Sequence, residues 1–188
     1  MGRPPSIDRD KVLDLAEAIL LKDGTAALTL DAVARAAGVS KGGIQSRFGT
    51  KDELLAALVE RWSGEYDSEM QARLAPDAAP AARVRAHLDI TMGLQPAEYG
   101  RAAGFMATLI ESVQRREEWR RWYAEHFGAL DPARPEGQRA RLALLAVEGA
   151  FILRAFGLMG FGDAEWETLR QDLHALLEGR LGTGEEPG

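Results

Sequence analysis

Residues 29–55 read TLDAVARAAGVSKGGIQSRFGTKDELL, and a helix-start signal occurs three times within this stretch. Thr29, Ser40 and Thr50 are each of a residue type that caps helix N-termini well, because the side-chain oxygen accepts a hydrogen bond from a free backbone N–H. Gly38, between the first two caps, suits a tight turn with positive φ. The stretch therefore predicts two short helices joined by a tight turn, which is a helix-turn-helix.

The second helix of this motif has one apolar side and one polar side. Ile44 and Phe48 are four residues apart, so both can pack on the preceding helix. Gly42 and Gly43 together cost about 2 kcal/mol of helix propensity, which favours a close approach of the backbone to a phosphate. The polar side suits a recognition helix. We predict DNA contacts by Thr29, Ser40, Lys41, Gly42, Gly43, Gln45, Ser46, Arg47 and Lys51.

Helical periodicity continues through the rest of the chain, without a convincing strand pattern. A first helix is predicted from the Asp8 cap to Gly24. The later helices are predicted at about 51–74, 82–94, 98–113, 115–130 and 136–159, with a last helix capped by Asp163. The predicted fold is all-α with about nine helices.

The predicted chain has two domains. A helix-turn-helix DNA-binding domain occupies residues 1–50, with the motif itself at about 29–48, and an effector-binding and dimerisation domain occupies 51–182. Residues 183–188 are rich in Gly and Glu, which predicts a disordered tail.

The charge of the chain is unevenly distributed. Its net charge is −6, but residues 1–50 carry 7 Lys and Arg against 6 Asp and Glu, whereas residues 51–188 carry 16 against 23. This distribution suits a protein in which only the N-terminal part meets phosphate. The absence of cysteine, of an apolar segment long enough for a membrane span and of a recognisable export signal predicts a cytoplasmic protein without membrane association.

The last two helices predict a homodimer. The helix at 136–159 is apolar nearly all round, and a chain of this length buries a second apolar face most economically against another copy. The alternative is that both helices are interior within one subunit. The predicted interface comprises Leu142, Ala146, Gly149, Ile152, Leu153, Phe156, Trp166, Leu169, Leu173 and Leu176. Within the long helix, Glu148 and Arg154 need partners, and three kinds remain open: each other, the second subunit or a ligand.

The sequence does not predict an enzyme. His87, His126 and His174 are scattered and lie in no metal-binding or nucleophile motif, so no catalytic residue, metal or cofactor is predicted.

The helix-turn-helix stretch resembles the TetR family of transcriptional regulators over residues 7 to about 62. The resemblance rests on the turn Ala37-Gly38-Val39-Ser40, a recognition helix ending at Phe48, and the Lys51-x-x-Leu54 start of the next helix. Two positions depart from the family pattern, which usually has a hydroxyl residue at Gly43 and very often a tyrosine at Gln45. These departures leave fewer side chains for the DNA backbone.

The resemblance implies a dimer joined through its last two helices and a small-molecule effector of unknown identity, held among helices four to seven. The aromatic and apolar residues predicted to line that site are Trp62, Tyr66, Met92, Phe105, Met106, Leu109, Trp122 and Phe127. The predicted function is a sequence-specific DNA-binding transcriptional regulator, and specifically a ligand-responsive repressor that binds a palindromic double-stranded operator. The alternative is a helical ligand-binding or interaction protein that reuses the fold without operator binding.

Overall fold

The computed structural model describes residues 8–181, and this part of the chain forms nine α-helices and no strands, which confirms the predicted all-α fold. The helices are α1 (Arg9–Ala27), α2 (Leu30–Ala37), α3 (Lys41–Phe48), α4 (Lys51–Arg73), α5 (Pro80–Met92), α6 (Pro96–Glu111), α7 (Val113–Phe127), α8 (Pro135–Ala155) and α9 (Asp163–Leu177). No helix in the described range is long and apolar enough to cross a membrane.

The chain divides into two compact units. The first comprises Met1–Tyr66 and Gly100–Ser112, and the second comprises Asp67–Tyr99 and Val113–Gly188. Helices α4 and α6 therefore contribute residues to both units. The domain bounds 1–50 and 51–182 stay predictions, and the tail predicted at 183–188 lies outside the described residues.

Local signals account for the start and the interruption of α1. The Asp8 side chain accepts hydrogen bonds from the backbone N–H groups of Asp10 and Lys11, at 3.1 and 3.4 Å, so Asp8 is the predicted N-cap. Gly24 has φ 80° and ψ 177°, which interrupts the helical backbone at the predicted residue. Because Leu13 and Leu28 are buried on either side of this interruption, the chain changes direction without leaving the core.

The core of the first unit joins α1 to α4. Helix α2 packs against both α1 and α3. The apolar side chains at this junction, including Leu13, Val33, Ile44 and Leu58, are excluded from solvent. Burial of a side chain of this size contributes about 1.5–3 kcal/mol, so this core holds the short helices α2 and α3, which would be unstable alone.

The core of the second unit lies between α5, α8 and α9, with α7 also in contact with α5. Its largest side chain is Trp166, whose indole N–H donates to the main-chain oxygen of Met92 at 2.9 Å. Arg154 lies between two aromatic rings, with its guanidinium carbon 4.8 Å from the ring centre of Tyr99 and 4.3 Å from that of Trp166. Arg154 is therefore stabilised by cation–π contacts and does not pair with Glu148.

Two predicted boundaries near the end of the chain are wrong. Helix α8 ends at Ala155 instead of residue 159, because Gly157 adopts φ 63° and the N–H of Leu158 turns back to the oxygen of Leu153. This is a left-handed helix ending of the kind that glycine favours. Asp163 is the first residue of α9 and not its cap, since Gly162 occupies the cap position without a side-chain hydrogen bond.

Candidate nucleic-acid interface

Two capped helices and one left-handed glycine build the helix-turn-helix. The Thr29 hydroxyl oxygen accepts from the N–H of Ala32 at 3.0 Å, and that of Ser40 accepts from the N–H of Gly43 at 3.1 Å. Gly38 ends α2 with φ 67° and ψ 30°, a conformation that costs side-chain-bearing residues about 1–2 kcal/mol. These bonds confirm the three local signals from which the motif was predicted.

Helix α3 has the predicted division into a buried and an exposed side. Ile44 and Phe48 are buried, with 0% and 6% of their surfaces exposed. The residues with exposed side chains on the other side are Lys41, Gln45, Ser46 and Arg47. The polar side of α3 is thus open within the first unit, and its four side chains offer hydrogen-bond donors and acceptors to a groove.

Gly42 lies in the first turn of α3 and is exposed. A Cβ atom built at this position meets no other atom within 4 Å. The fold of this chain therefore does not require glycine there, although glycine weakens a helix by about 1 kcal/mol relative to alanine. This open space next to the backbone supports the prediction that something outside the protomer approaches Gly42 closely. The adjacent Gly43 is partly buried.

The start of α4 is held by a capping box and by an ammonium contact. The Glu53 carboxylate accepts hydrogen bonds from the N–H and hydroxyl of Thr50, at 2.7 and 2.9 Å, and the Thr50 hydroxyl oxygen accepts from the N–H of Glu53 at 3.2 Å. These hydrogen bonds, the backbone one above all, hold the pKa of Glu53 below its ordinary value. The Lys51 ammonium donates to the main-chain oxygen of Thr25 at 2.6 Å.

The predicted DNA contacts therefore fall into two groups. The side chains on the polar side of α3 are exposed and make no hydrogen bond or ion pair with the described part of the chain. Thr29, Ser40 and Lys51 already hold the ends of helices, although each hydroxyl and the ammonium keep further N–H or O–H donors. All nine residues stay predictions as contacts to DNA.

A buried charge network joins three helices of the first unit. The Glu17 carboxylate of α1, with 16% of its side chain exposed, pairs with the guanidinium groups of Arg61 in α4 and Arg101 in α6. It also accepts from the indole N–H of Trp62 at 3.1 Å. The Trp62 ring meets Phe105 edge-on at 5.8 Å. Two residues predicted to line an effector site thus belong to a packed layer next to this network.

The eight predicted effector-site residues are divided between the two units. Trp62, Tyr66, Phe105, Met106 and Leu109 belong to the first, and Met92, Trp122 and Phe127 belong to the second. Within the second unit, the Trp122 and Phe127 rings are 5.9 Å apart and nearly perpendicular. The assignment of these residues to one ligand site stays a prediction.

The second unit contains a cluster of aromatic rings and two carboxylates, which we call the aromatic–carboxylate cluster. Its rings come from α7 and are Trp119, Trp122, Tyr123, His126 and Phe127. Asp67 of α4 accepts from the Trp122 indole N–H at 3.1 Å and lies 3.4 Å from His126 Nε2. Glu148 of α8 accepts from the Tyr123 hydroxyl at 2.5 Å and lies 3.0 Å from Nε2 of His87 in α5.

Sequence reasoning identified the aromatic residues of this cluster but not its two carboxylates as a group. The spacing of Trp119, Trp122 and Tyr123 places these rings on one side of α7. Asp67 and Glu148 come from other helices and are 81 positions apart in the chain, so no local pattern connects them.

The predicted dimer interface falls on two kinds of position. On α8, Leu142, Ala146, Ile152 and Phe156 are exposed, whereas Gly149 and Leu153 are partly exposed. On α9, Leu169 and Leu176 are partly exposed. Trp166 and Leu173 are buried inside one protomer because they face α5 and α8, so they add almost no area to an outer surface.

A polar, exposed helix that follows a tight turn and rests on a capped partner helix is the geometry of helix-turn-helix DNA-binding proteins. Two family models match this chain. Residues 81–178 match "Tetracyclin repressor-like, C-terminal domain", and residues 12–58 match "Bacterial regulatory proteins, tetR family". The chain therefore belongs to the TetR family of DNA-binding transcriptional regulators, as the helix-turn-helix residues predicted.

Individual relatives agree with this family. The HTH-type transcriptional regulator BetI of Rhizobium meliloti (strain 1021) is 31% identical over 121 residues, which are 64% of this chain and 59% of that protein. The match thus spans less than two thirds of the curated relative. A transcriptional regulator from Rhodococcus sp. Rha1 shares the fold, with 20% identity and a TM-score of 0.67 over 92% of this chain and 97% of that chain. The multidrug binding protein EbrR, solved with malachite green, is 25% identical with a TM-score of 0.67, over 90% and 98% of the two chains.

Proposed function

We propose that this protein is a ligand-responsive repressor that binds a palindromic operator as a homodimer. The observation that carries the proposal is the polar side of α3, which is exposed while Ile44 and Phe48 anchor the opposite side. A short helix fixed in this way presents its side chains at the width of a DNA major groove.

Specific contacts require both base readers and phosphate contacts. Arg47 can donate two hydrogen bonds to a guanine, and Gln45 can pair in the same manner with an adenine. Lys41 and the backbone around Gly42 are suited to phosphates. Because the family tyrosine is absent at Gln45, this protein has a base-reading amide at a position where its relatives usually contact the backbone.

The proposed dimer is supported by an apolar stripe that is left uncovered on α8. Leu142, Leu145 and Phe156 are 58%, 68% and 42% exposed, and they recur with the spacing of one helical face. Contiguous exposed apolar surface of this kind marks an interaction site in a water-soluble chain. A second copy presents the same stripe, so a twofold contact buries both. Two recognition helices in a dimer then reach successive major grooves, about 34–36 Å apart.

Regulation by a small molecule follows from a difference in affinity between two states of the dimer. A ligand that binds better to a dimer unsuited to the operator shifts the population towards that form and weakens DNA binding by the same factor. The presence of malachite green in EbrR supports an effector site in the helical unit that follows the helix-turn-helix.

DNA binding is the first experiment. Fluorescence anisotropy with the purified protein and duplexes from the region flanking its own gene should identify one palindromic site that binds with a strong salt dependence. Arg47→Ala and Lys41→Ala should each weaken this binding, and each lost phosphate contact should reduce the slope of log K against log salt by about 1.

The control variant for this experiment is Arg73→Ala, which removes the same charge from an exposed position in the second unit. It should bind the operator as the unmodified protein does. If Arg47→Ala and Lys41→Ala both bind like the unmodified protein, α3 does not read DNA and the proposed function is wrong.

A further inference from the structure

The strongest unexplained feature of the second unit is the electrostatic character of the aromatic–carboxylate cluster. A carboxylate that is largely removed from water is costly unless a cation or several hydrogen bonds compensate it. Glu17 and Glu148 offer a direct comparison, because 16% of each side chain is exposed. Glu17 is compensated by two guanidinium groups, those of Arg61 and Arg101.

Glu148 is compensated in a different manner. Its recorded partners are the Tyr123 hydroxyl and the His87 imidazole, and those of Asp67 are the Trp122 indole and the His126 imidazole. A neutral imidazole can donate these hydrogen bonds, so none of the four contacts requires a positive charge. Within residues 8–181, neither carboxylate pairs with a lysine or an arginine.

The surrounding rings add to the negative potential. Trp119 and Trp122 stack with their centres 4.6 Å apart and their planes 3° from parallel, and Tyr123 meets both edge-on. The faces of aromatic rings attract cations, tryptophan most strongly. Trp119, Trp122 and Tyr123 are each partly exposed, so solutes can reach the cluster from solvent.

We infer that the aromatic–carboxylate cluster binds an organic cation with apolar or aromatic substituents, and that Glu148 and Asp67 supply its counter-charge. The rings contact the substituents and the delocalised charge, and the carboxylates can exchange a neutral hydrogen-bond donor for a cation. This inference rests on the proposed effector-binding function and specifies the chemical class of the effector. The malachite green bound by EbrR is itself a cationic dye, which agrees with this class.

Two ions of equal size and opposite charge test the inference without altering the protein. Tetraphenylphosphonium and tetraphenylborate carry the same four phenyl groups around a permanent positive or negative charge. Isothermal titration calorimetry of the full chain at 150 mM salt should show saturable binding of the phosphonium. The borate should bind at least about tenfold more weakly, a difference of about 1.4 kcal/mol. Equal binding of the two ions, or binding of neither, would overturn the inference.

Substitutions then locate the site. Glu148→Gln and Asp67→Asn keep the shape of each side chain and remove its charge, and each should weaken phosphonium binding by about tenfold or more. Glu125→Gln is the matched control, since it removes an exposed carboxylate from α7 itself. If the Glu148 and Asp67 variants bind the phosphonium as tightly as the Glu125 variant does, the counter-charge lies elsewhere and the assignment is wrong.

Folding and function are separated by two further measurements. Thermal unfolding of each variant shows whether the site is intact, and where a variant does not fold, the comparison of the two ions on the unmodified protein decides. Binding is measured directly and not through release of DNA. A protein that binds its operator but not the phosphonium therefore contradicts only this inference, whereas a protein that binds no operator contradicts the proposed repressor.

Discussion

The Lys51 ammonium donates a hydrogen bond to the main-chain oxygen of Thr25 at 2.6 Å, which ties the start of α4 to the end of α1. The contact is partly buried and joins residues 26 positions apart, so it fixes the two helices that enclose α2 and α3. Because an ammonium has three donors, Lys51 can hold Thr25 and a DNA phosphate together. A residue predicted only as a DNA contact thus also has a structural role.

Lys51→Met should therefore lower both stability and operator affinity. The loss of this hydrogen bond costs about 1 kcal/mol, which corresponds to a fall in the thermal midpoint of about 2–4 °C for a chain of this size. Thermal unfolding and anisotropy measure the two effects. Lys22→Met removes a lysine that is exposed on α1 and is the control for stability. An unchanged midpoint for Lys51→Met would show that the contact to Thr25 does not stabilise the protein.

Gly42→Ala should separate the stability of α3 from its function. The added methyl group meets no atom of the protomer within 4 Å, so helix propensity alone should raise the stability by about 0.5–1 kcal/mol. Operator affinity should fall, because the same methyl group occupies the space in which a phosphate approaches the backbone.

Gly64 in α4 offers the matched control for this substitution. It is exposed, and a Cβ atom built there also meets nothing within 4 Å. Gly64→Ala should raise the thermal midpoint in a similar way while operator affinity stays constant. If Gly42→Ala binds the operator as tightly as Gly64→Ala does, DNA does not approach the α3 backbone at Gly42.

The exposed stripe of α8 predicts which substitutions produce monomers. Leu145→Glu places a charge at a position that is 68% exposed in one protomer, so it should leave the protomer folded and disrupt only a dimer. Gly149→Leu should act in the same way, since its side chain has free space within the protomer. Light scattering after size exclusion gives the mass, and circular dichroism gives the helix content.

Val113→Glu is the control for the dimer, because Val113 is 67% exposed but lies at the start of α7. It should remain dimeric. Persistence of a dimer in both α8 variants at micromolar concentration would place the interface on another surface.

The capping box at Thr50 predicts a pH dependence of stability. Hydrogen bonds from Thr50, first from its backbone N–H, lower the pKa of Glu53 below 4.5. A carboxyl whose pKa is lowered by folding stabilises the folded state fully above its unfolded pKa, and this contribution is lost as pH falls through the folded pKa. The difference in thermal midpoint between the unmodified protein and Glu53→Gln should therefore be constant above pH 5 and shrink below about pH 4.5. A difference that stays the same down to pH 3 would contradict the ionised cap.

The helix-turn-helix was predictable because each of its signals acts over a few residues. A cap hydroxyl such as that of Ser40 bonds an N–H three positions away, and Gly38 needs only its own backbone conformation. The division of α3 likewise follows from the four-residue spacing of Ile44 and Phe48. The weaker signals failed where two local choices compete, as at the end of α8, where the chain turns at Gly157 before reaching Gly160.

The sequence alone determined the helical class, the position of the DNA-reading helix and the apolar character of α8, because caps, turns and periodicity depend on neighbouring residues. Only the tertiary structure decided that Trp166 and Leu173 face inward, that Lys51 holds Thr25, and that Asp67 and Glu148 meet the rings of α7. The physical reason is that such contacts join residues far apart in the chain, and their partners are set by the packing of whole helices, which no local pattern encodes.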